Sequence, residues 1–222
     1  MSKKITGLLG WLISLSVPVV LTAAVIRLLL SPLFINIEYR LPHFPEDRYG
    51  FSTEERRYYG NLTRRYLVSG EDIDVLRQLT FESGDPLFLE RELRHLVDVK
   101  VVLRGLFGAA WTASGILILT GAAVSYQREY LPGFLRSVAR GGWLTAGLIA
   151  AVLTLSLISF NTFFTGFHQI FFEGDSWLFR FSDTLIRLFP LQFWQDVFLV
   201  FGVLTAGLGA LLGWLLPKSV RP

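Results

Sequence analysis

Four long apolar runs organise this chain, at residues 5–30, 101–124, 143–164 and 197–216. Each is near the ~20 residues a helix needs to cross a hydrocarbon layer. Polar positions gather in 31–100 and, mixed with many aromatics, in 165–196. The pattern predicts an all-α integral membrane protein, a single membrane domain over 1–222 with four transmembrane helices. A small helical cap at 31–100 joins the first two helices, and an interfacial loop at 165–196 joins the last two. A hydrophobic fraction of 52% and a mean hydropathy of +0.47 exclude an ordinary soluble domain. The first run, at about 25 residues, is longer than a signal-peptide core and lacks a small-x-small cleavage pattern, so it reads as a retained span. Pro18 near its middle predicts a kink. In the last run, Gly209 and Gly213 form a small-xxx-small pair that permits close helix packing.

Charge supplies the orientation. Lys3, Lys4, Arg128, Arg136, Arg140, Lys218 and Arg221 flank the spans on one side, against a single acid, Glu129. The 165–196 loop carries Arg180 and Arg187 against Glu173, Asp175, Asp183 and Asp196. The positive-inside rule then places both termini in the cytoplasm and both larger loops outside. The net charge of +3 is spent on orientation and implies no nucleic-acid partner. Arg27 and Arg104 lie within about a turn of a span boundary and can snorkel to headgroups.

The cap begins with an irregular, Pro- and aromatic-rich stretch, 31–45. Ser52 and Glu55 have the spacing of a capping box. The helix they open presents Tyr58, Tyr59, Leu62, Tyr66 and Leu67 at helical spacing, and Gly70 stops it. A short helix over 72–79 follows. Asp85-Pro86 reads as an N-cap with proline at the first helical position, starting one helix that runs into the second span. In the second loop, residues 183–190 predict a short amphipathic helix in the headgroup layer, ended by Pro190.

Candidate chemistry is sparse. The chain has no cysteine, which removes thiol nucleophiles, disulfides and thiolate metal ligands. Two of its three histidines, His95 and His168, fall where the second and third spans emerge on the same side. Imidazoles titrate near neutral pH, so such a pair suits proton transfer at a lipid–water boundary. Glu92, His95 and Asp98 are spaced three apart and share a helix face. His43, between two prolines, reads as an ordinary loop residue.

Two blocks carry more than membrane character: Leu87-Phe-Leu-Glu-Arg-Glu-Leu-Arg-His95-Leu-Val-Asp98-Val-Lys100, and Phe167-His168-Gln-Ile-Phe-Phe172 with Trp177 and Asp183-Thr-Leu-Ile-Arg-Leu-Phe-Pro190. With Tyr49-Gly-Phe-Ser-Thr-Glu-Glu-Arg56, they resemble a bacterial family of four-span membrane proteins that includes the lipoprotein intramolecular transacylases of Gram-positive bacteria. The resemblance covers nearly the whole chain. One departure is Leu96, where the family more often has methionine. The resemblance implies a membrane acyltransferase that moves the sn-2 acyl chain of a diacylglyceryl lipoprotein to its N-terminal cysteine amine, giving a lyso-form lipoprotein. It implies a bacterial cytoplasmic membrane location with the site on the extracytoplasmic side, and His95 and His168 as the catalytic pair. Asp98, Glu92, Arg94, Lys100 and Trp177 are the candidates for supporting the histidines or positioning substrate. No cofactor and no metal are expected, and the partners are diacylglyceryl lipoproteins and membrane lipids.

Ester-to-amine transfer needs a neutral amine, a stabilised oxyanion and a protonated leaving oxygen. A base of pKa ~6.5 is well matched to an amine near ~8. Direct attack and an acyl-histidine intermediate both remain open. Two other readings stand beside the transacylase. One is a zinc-dependent membrane hydrolase using the two histidines with Asp98, Glu173 or Asp175. The other is a non-enzymatic membrane scaffold or sensor built on the cap.

Overall fold

The computed structural model describes residues 3–216, with side chains from residue 7 onward. Of the orientation charges, the side chains of Lys3 and Lys4, and all of Lys218 and Arg221, lie outside the described residues. The elements, in order, are α1 (Lys3–Leu29), α2 (Pro32–Glu38), α3 (Thr53–Val68), α4 (Asp74–Arg77), α5 (Glu90–Tyr126), a 3-10 turn (Arg128–Tyr130), α6 (Leu131–Ile158), α7 (Phe160–Phe171), α8 (Thr184–Leu188) and α9 (Leu191–Leu215). Among the described residues the only β pairing is an isolated bridge between Thr80 and Pro86. Four helices, α1, α5, α6 and α9, are long and apolar enough to cross a membrane. This is an all-α, multi-pass membrane protein. The chain divides into two compact units: 1–26, 105–157 and 199–222 in one, and 27–104 with 158–198 in the other.

The first unit packs its helices through small residues. A Cβ on Gly142 would lie 2.5 Å from the Gly209 carbonyl oxygen, and one on Gly209 would lie 2.7 Å from that of Gly142. A Cβ on Gly213 would meet the Trp143 ring at 2.7 Å, so the small-xxx-small pair of α9 does press against α6. α1 approaches α6 just as closely, because a Cβ on Gly141 would fall 2.5 Å from the Ser14 carbonyl. Ser14 Oγ lies 2.8 Å from both the Gly10 and Ser137 carbonyl oxygens. α1 continues through Pro18 as one helix.

The second unit is built by helix caps and two apolar clusters. Ser52 and Glu55 form the expected capping box, with Ser52 N donating to Glu55 Oε2 at 2.7 Å and Glu55 N to Ser52 Oγ at 3.2 Å. The larger cluster gathers Phe51 and Tyr66 from around α3, Leu76 of α4, Leu93 and Leu96 of α5, and Leu185 and Leu188 of α8. The smaller one centres on Ile35, Tyr39 and Phe193. Arg187 ties the segments together: it pairs with Asp47 at 2.9 Å, donates to the Tyr49 carbonyl at 3.2 Å and lies 3.7 Å above the Phe51 ring. Those contacts join two of the family-like sequence blocks.

Four local expectations are corrected. The stretch 31–45 is not irregular throughout, because Ser31 and Pro32 cap and start α2. The helix expected over 72–79 shortens to Asp74–Arg77. Pro86 does not open α5: Leu87 N bonds to Leu79 O at 2.8 Å and Phe81 N to Asp85 O at 2.9 Å, around a turn in which Gly84 has φ +87°. Those backbone groups are committed across the turn, so the helix starts only at Glu90. The third apolar run is split, since α6 ends at Ile158 and Ser159 caps a separate helix, α7.

Candidate active site

The second unit brings His95 of α5 and His168 of α7 together. Their rings stack with centroids 5.9 Å apart and planes inclined by 23°. Both are buried, 8% and 7% exposed. Aromatics enclose them: Phe172 and Phe179 stand edge-on to His95 at 4.8 and 5.4 Å, and Phe164, Phe172 and Trp177 surround His168 at 4.1, 5.4 and 5.0 Å.

The two rings are held differently. His168 Nδ1 lies 2.8 Å from the carbonyl oxygen of Phe164, one helical turn back. A carbonyl only accepts, so Nδ1 carries the proton and Nε2 keeps its lone pair. His95 Nδ1 is buried with no hydrogen-bond partner. An unpartnered polar atom of this kind is costly in a folded interior, and it suits a position that substrate completes.

Burial also sets the charge of the pair. It strips water from the imidazolium form of both rings, and the proximity of His168 adds repulsion, taking His95 down to about 4. His168 is lowered by burial as well, partly offset by its bond to the Phe164 carbonyl. At neutral pH both are neutral imidazoles, and a proton taken up by one disfavours a second on the other.

The supporting residues named from the sequence separate into three groups. Trp177 lies beside His168, its Nε1 donating to the Gly174 carbonyl at 3.1 Å. Arg94 and Asp98 line an open cleft of about 520 Å³ with Arg91, Val97, Glu173, Asp175 and Ser176, and Asp98 accepts from Ser176 Oγ at 3.4 Å. Glu92 and Lys100 face elsewhere. Lys100 Nζ donates to the Glu71 carbonyl at 2.6 Å and sits 3.9 Å from the Tyr66 ring centroid. Glu92, 0% exposed, accepts from Leu89 N and Leu185 N, both at 2.7 Å. Its one carboxylate thus caps the starts of both α5 and α8, although burial holds its pKa above the usual range.

The aromatic stretch 163–172, which the sequence suggests as a lid that keeps water out, supplies Phe164 and Phe172 as walls of the pair. Phe179, outside that stretch, was missed and had no signal beyond aromatic density. Arg91 was also missed. It grips both oxygens of the buried Asp183 at 2.7 and 2.6 Å and fixes the loop that carries Phe179. Among the described residues, the histidine pair is not part of a close group of three or more possible metal ligands.

The fold and the sequence have relatives. A solved membrane-integral lipoprotein intramolecular transacylase, Lit from Bacillus cereus, shares the fold with a TM-score of 0.81, at 20% identity over 98% of this chain and 96% of that one. A histidine-to-alanine variant of the same enzyme matches with a TM-score of 0.75, at 19% identity over 98% and 94%. An uncharacterized protein of Aquifex aeolicus (strain VF5) is 31% identical over 186 residues, which is 84% of this chain and 82% of the relative. Residues 9–194 match the family model of the lipoprotein intramolecular transacylase Lit. The chain belongs to the Lit family of lipoprotein intramolecular transacylases.

Proposed function

We propose that His95 and His168 carry the transfer of the sn-2 acyl chain of a diacylglyceryl lipoprotein to the α-amine of its own N-terminal cysteine. The reaction takes place at the extracytoplasmic face of a bacterial cytoplasmic membrane, with both termini of the chain in the cytoplasm and membrane lipids around the four spans. The observation that carries this reading is the neutral, stacked histidine pair with the His168 tautomer fixed by the Phe164 carbonyl.

In this mechanism the neutral amine nitrogen attacks the ester carbonyl, forming the C–N bond. His168 Nε2 takes the proton that the nitrogen sheds. The neutral His95 imidazole donates a hydrogen bond to the oxyanion, a role that its low pKa protects from conversion to imidazolium at working pH. Collapse breaks the bond from the carbonyl carbon to the sn-2 oxygen, and His168 returns its proton to that oxygen. No proton is gained or lost overall. Amine and ester sit on one substrate, so holding them together supplies several kcal/mol at no bimolecular cost. The aromatic walls exclude water, which would otherwise divert the ester to hydrolysis.

A direct test uses purified protein and a synthetic S-diacylglyceryl-cysteinyl peptide with different sn-1 and sn-2 chains. The account expects the sn-2 chain, and only that chain, on the cysteine nitrogen, and no transfer when the amine is acetylated. Release of free fatty acid with no N-acyl product would replace transfer by hydrolysis.

A further inference from the structure

A second cluster of ionisable side chains lies away from the histidine pair, where the turn after α2 meets the start of α9. We propose that Glu38, His43 and Asp196 bind one divalent first-row transition-metal ion, which fastens these two segments together. This goes beyond the acyl-transfer reading and does not depend on it.

One ligand atom from each of the three residues falls within 4.8 Å of the others. His43 Nε2 is 3.1 Å from Asp196 Oδ2. Ligands bonded to zinc at about 2.0–2.1 Å, at angles between octahedral and tetrahedral, stand about 2.9–3.4 Å apart, so this pair already has the spacing of metal ligands. The strongest sign is Glu38. It is only 3% exposed, and its Oε1 is buried without a hydrogen-bond partner. A divalent cation would balance the two carboxylates of Glu38 and Asp196, whose ligand atoms are brought within 4.8 Å of each other, while His43 contributes a nitrogen ligand. Gln192 Nε2 donates to both Asp196 oxygens, at 3.1 and 3.0 Å, and orients the carboxylate as outer ligand-sphere partners do. His43 is half-exposed, which leaves an entry path and room for water ligands.

One nitrogen and two carboxylates suit zinc or manganese and not a soft ion such as Cu(I). The site borders the cluster of Ile35, Tyr39 and Phe193 with Trp194 packed against it. Trp194 reaches Phe164 at 6.2 Å, and Phe164 stacks on His168 at 4.1 Å. The bound ion would brace the layer on which His168 rests, as a structural metal.

The test uses full-length protein purified in detergent without a histidine tag, stripped with EDTA and titrated with Zn²⁺ against a chromogenic chelator. The expected result is one zinc per chain, a higher unfolding temperature with zinc, and at least a tenfold loss of affinity in Glu38→Gln, His43→Ala and Asp196→Asn. His43→Ala removes an exposed loop side chain and should run as wild type on gel filtration, so its loss of zinc cannot be put down to misfolding. His95→Ala should leave zinc binding unchanged. Failure of the wild type to hold zinc against the chelator would overturn the proposal. So would unchanged affinity in His43→Ala, or loss of zinc in His95→Ala.

Discussion

Replacing Glu92 by glutamine separates two roles that the sequence leaves open for this residue, support of His95 or construction of the fold. In the structure both carboxylate oxygens are engaged by backbone amides, Leu89 N and Leu185 N, at 2.7 Å each. Glutamine keeps one acceptor oxygen and turns an NH2 group toward the other amide, leaving one buried donor unsatisfied. That costs about 1–3 kcal/mol. Alanine leaves both donors unsatisfied and costs about 2–6 kcal/mol, reduced by relief of the buried carboxylate's own desolvation. The assay is thermal unfolding in detergent combined with amide hydrogen exchange. The unfolding temperature should fall in the order wild type, Glu92→Gln, Glu92→Ala, with faster exchange at the first turns of α5 and α8. Transfer activity per folded molecule should hold in Glu92→Gln. A Glu92→Gln protein with wild-type stability and exchange, yet as inactive as His95→Ala, would refute this and make Glu92 a partner of His95.

The remaining predictions are shorter. His95 titrates near 4 in the folded chain and near 6.5 when unfolded. Between those values the unfolded chain binds the extra proton, so stability falls as pH drops through this window, by up to about 3 kcal/mol. His95→Phe should flatten the pH dependence of the unfolding temperature between pH 7 and 4. Gly142→Leu drives a side chain into the α9 backbone, where even a Cβ lies 2.5 Å from the Gly209 oxygen. It should cost about 1–3 kcal/mol or block folding, seen as a lower unfolding temperature or loss of folded protein after extraction. Asp47→Asn leaves the guanidinium of Arg187 buried without its counter-charge, for side chains 4% and 9% exposed in the pair. A loss of about 3–5 kcal/mol is expected in the same assay.

Much of the architecture is legible without the structure, for reasons that differ by element. The spans show because the hydrocarbon layer imposes length and apolarity on the sequence itself, and the α3 start shows because a capping box is a local pattern. The pairing of His95 with His168 was inferred from position and resemblance, and the stack at 5.9 Å places them together. The parts that were hidden depend on contacts between segments far apart in sequence. Asp85-Pro86 has the letters of a helix start, yet the backbone of 79–87 closes on itself first. Glu92 shares a face with His95, but the amide that claims it belongs to Leu185, 93 residues away. Lys100 is drawn off by Glu71 and Tyr66 in the same way. The break at Ser159 is invisible to hydropathy, because Phe160–Phe171 continues the apolar run after α6 has ended.

The measurement that bears most directly on the central claim is mass spectrometry of a reporter lipoprotein from cells whose lipoproteins otherwise stay diacylated. Wild type, His95→Ala and His168→Ala would be compared at matched expression. The account predicts an N-terminal peptide with one N-acyl and one O-acyl chain in the wild type alone, and an unchanged diacylglyceryl peptide in both variants. Full conversion by either histidine variant, or an unmodified peptide with well-expressed wild type, would contradict it.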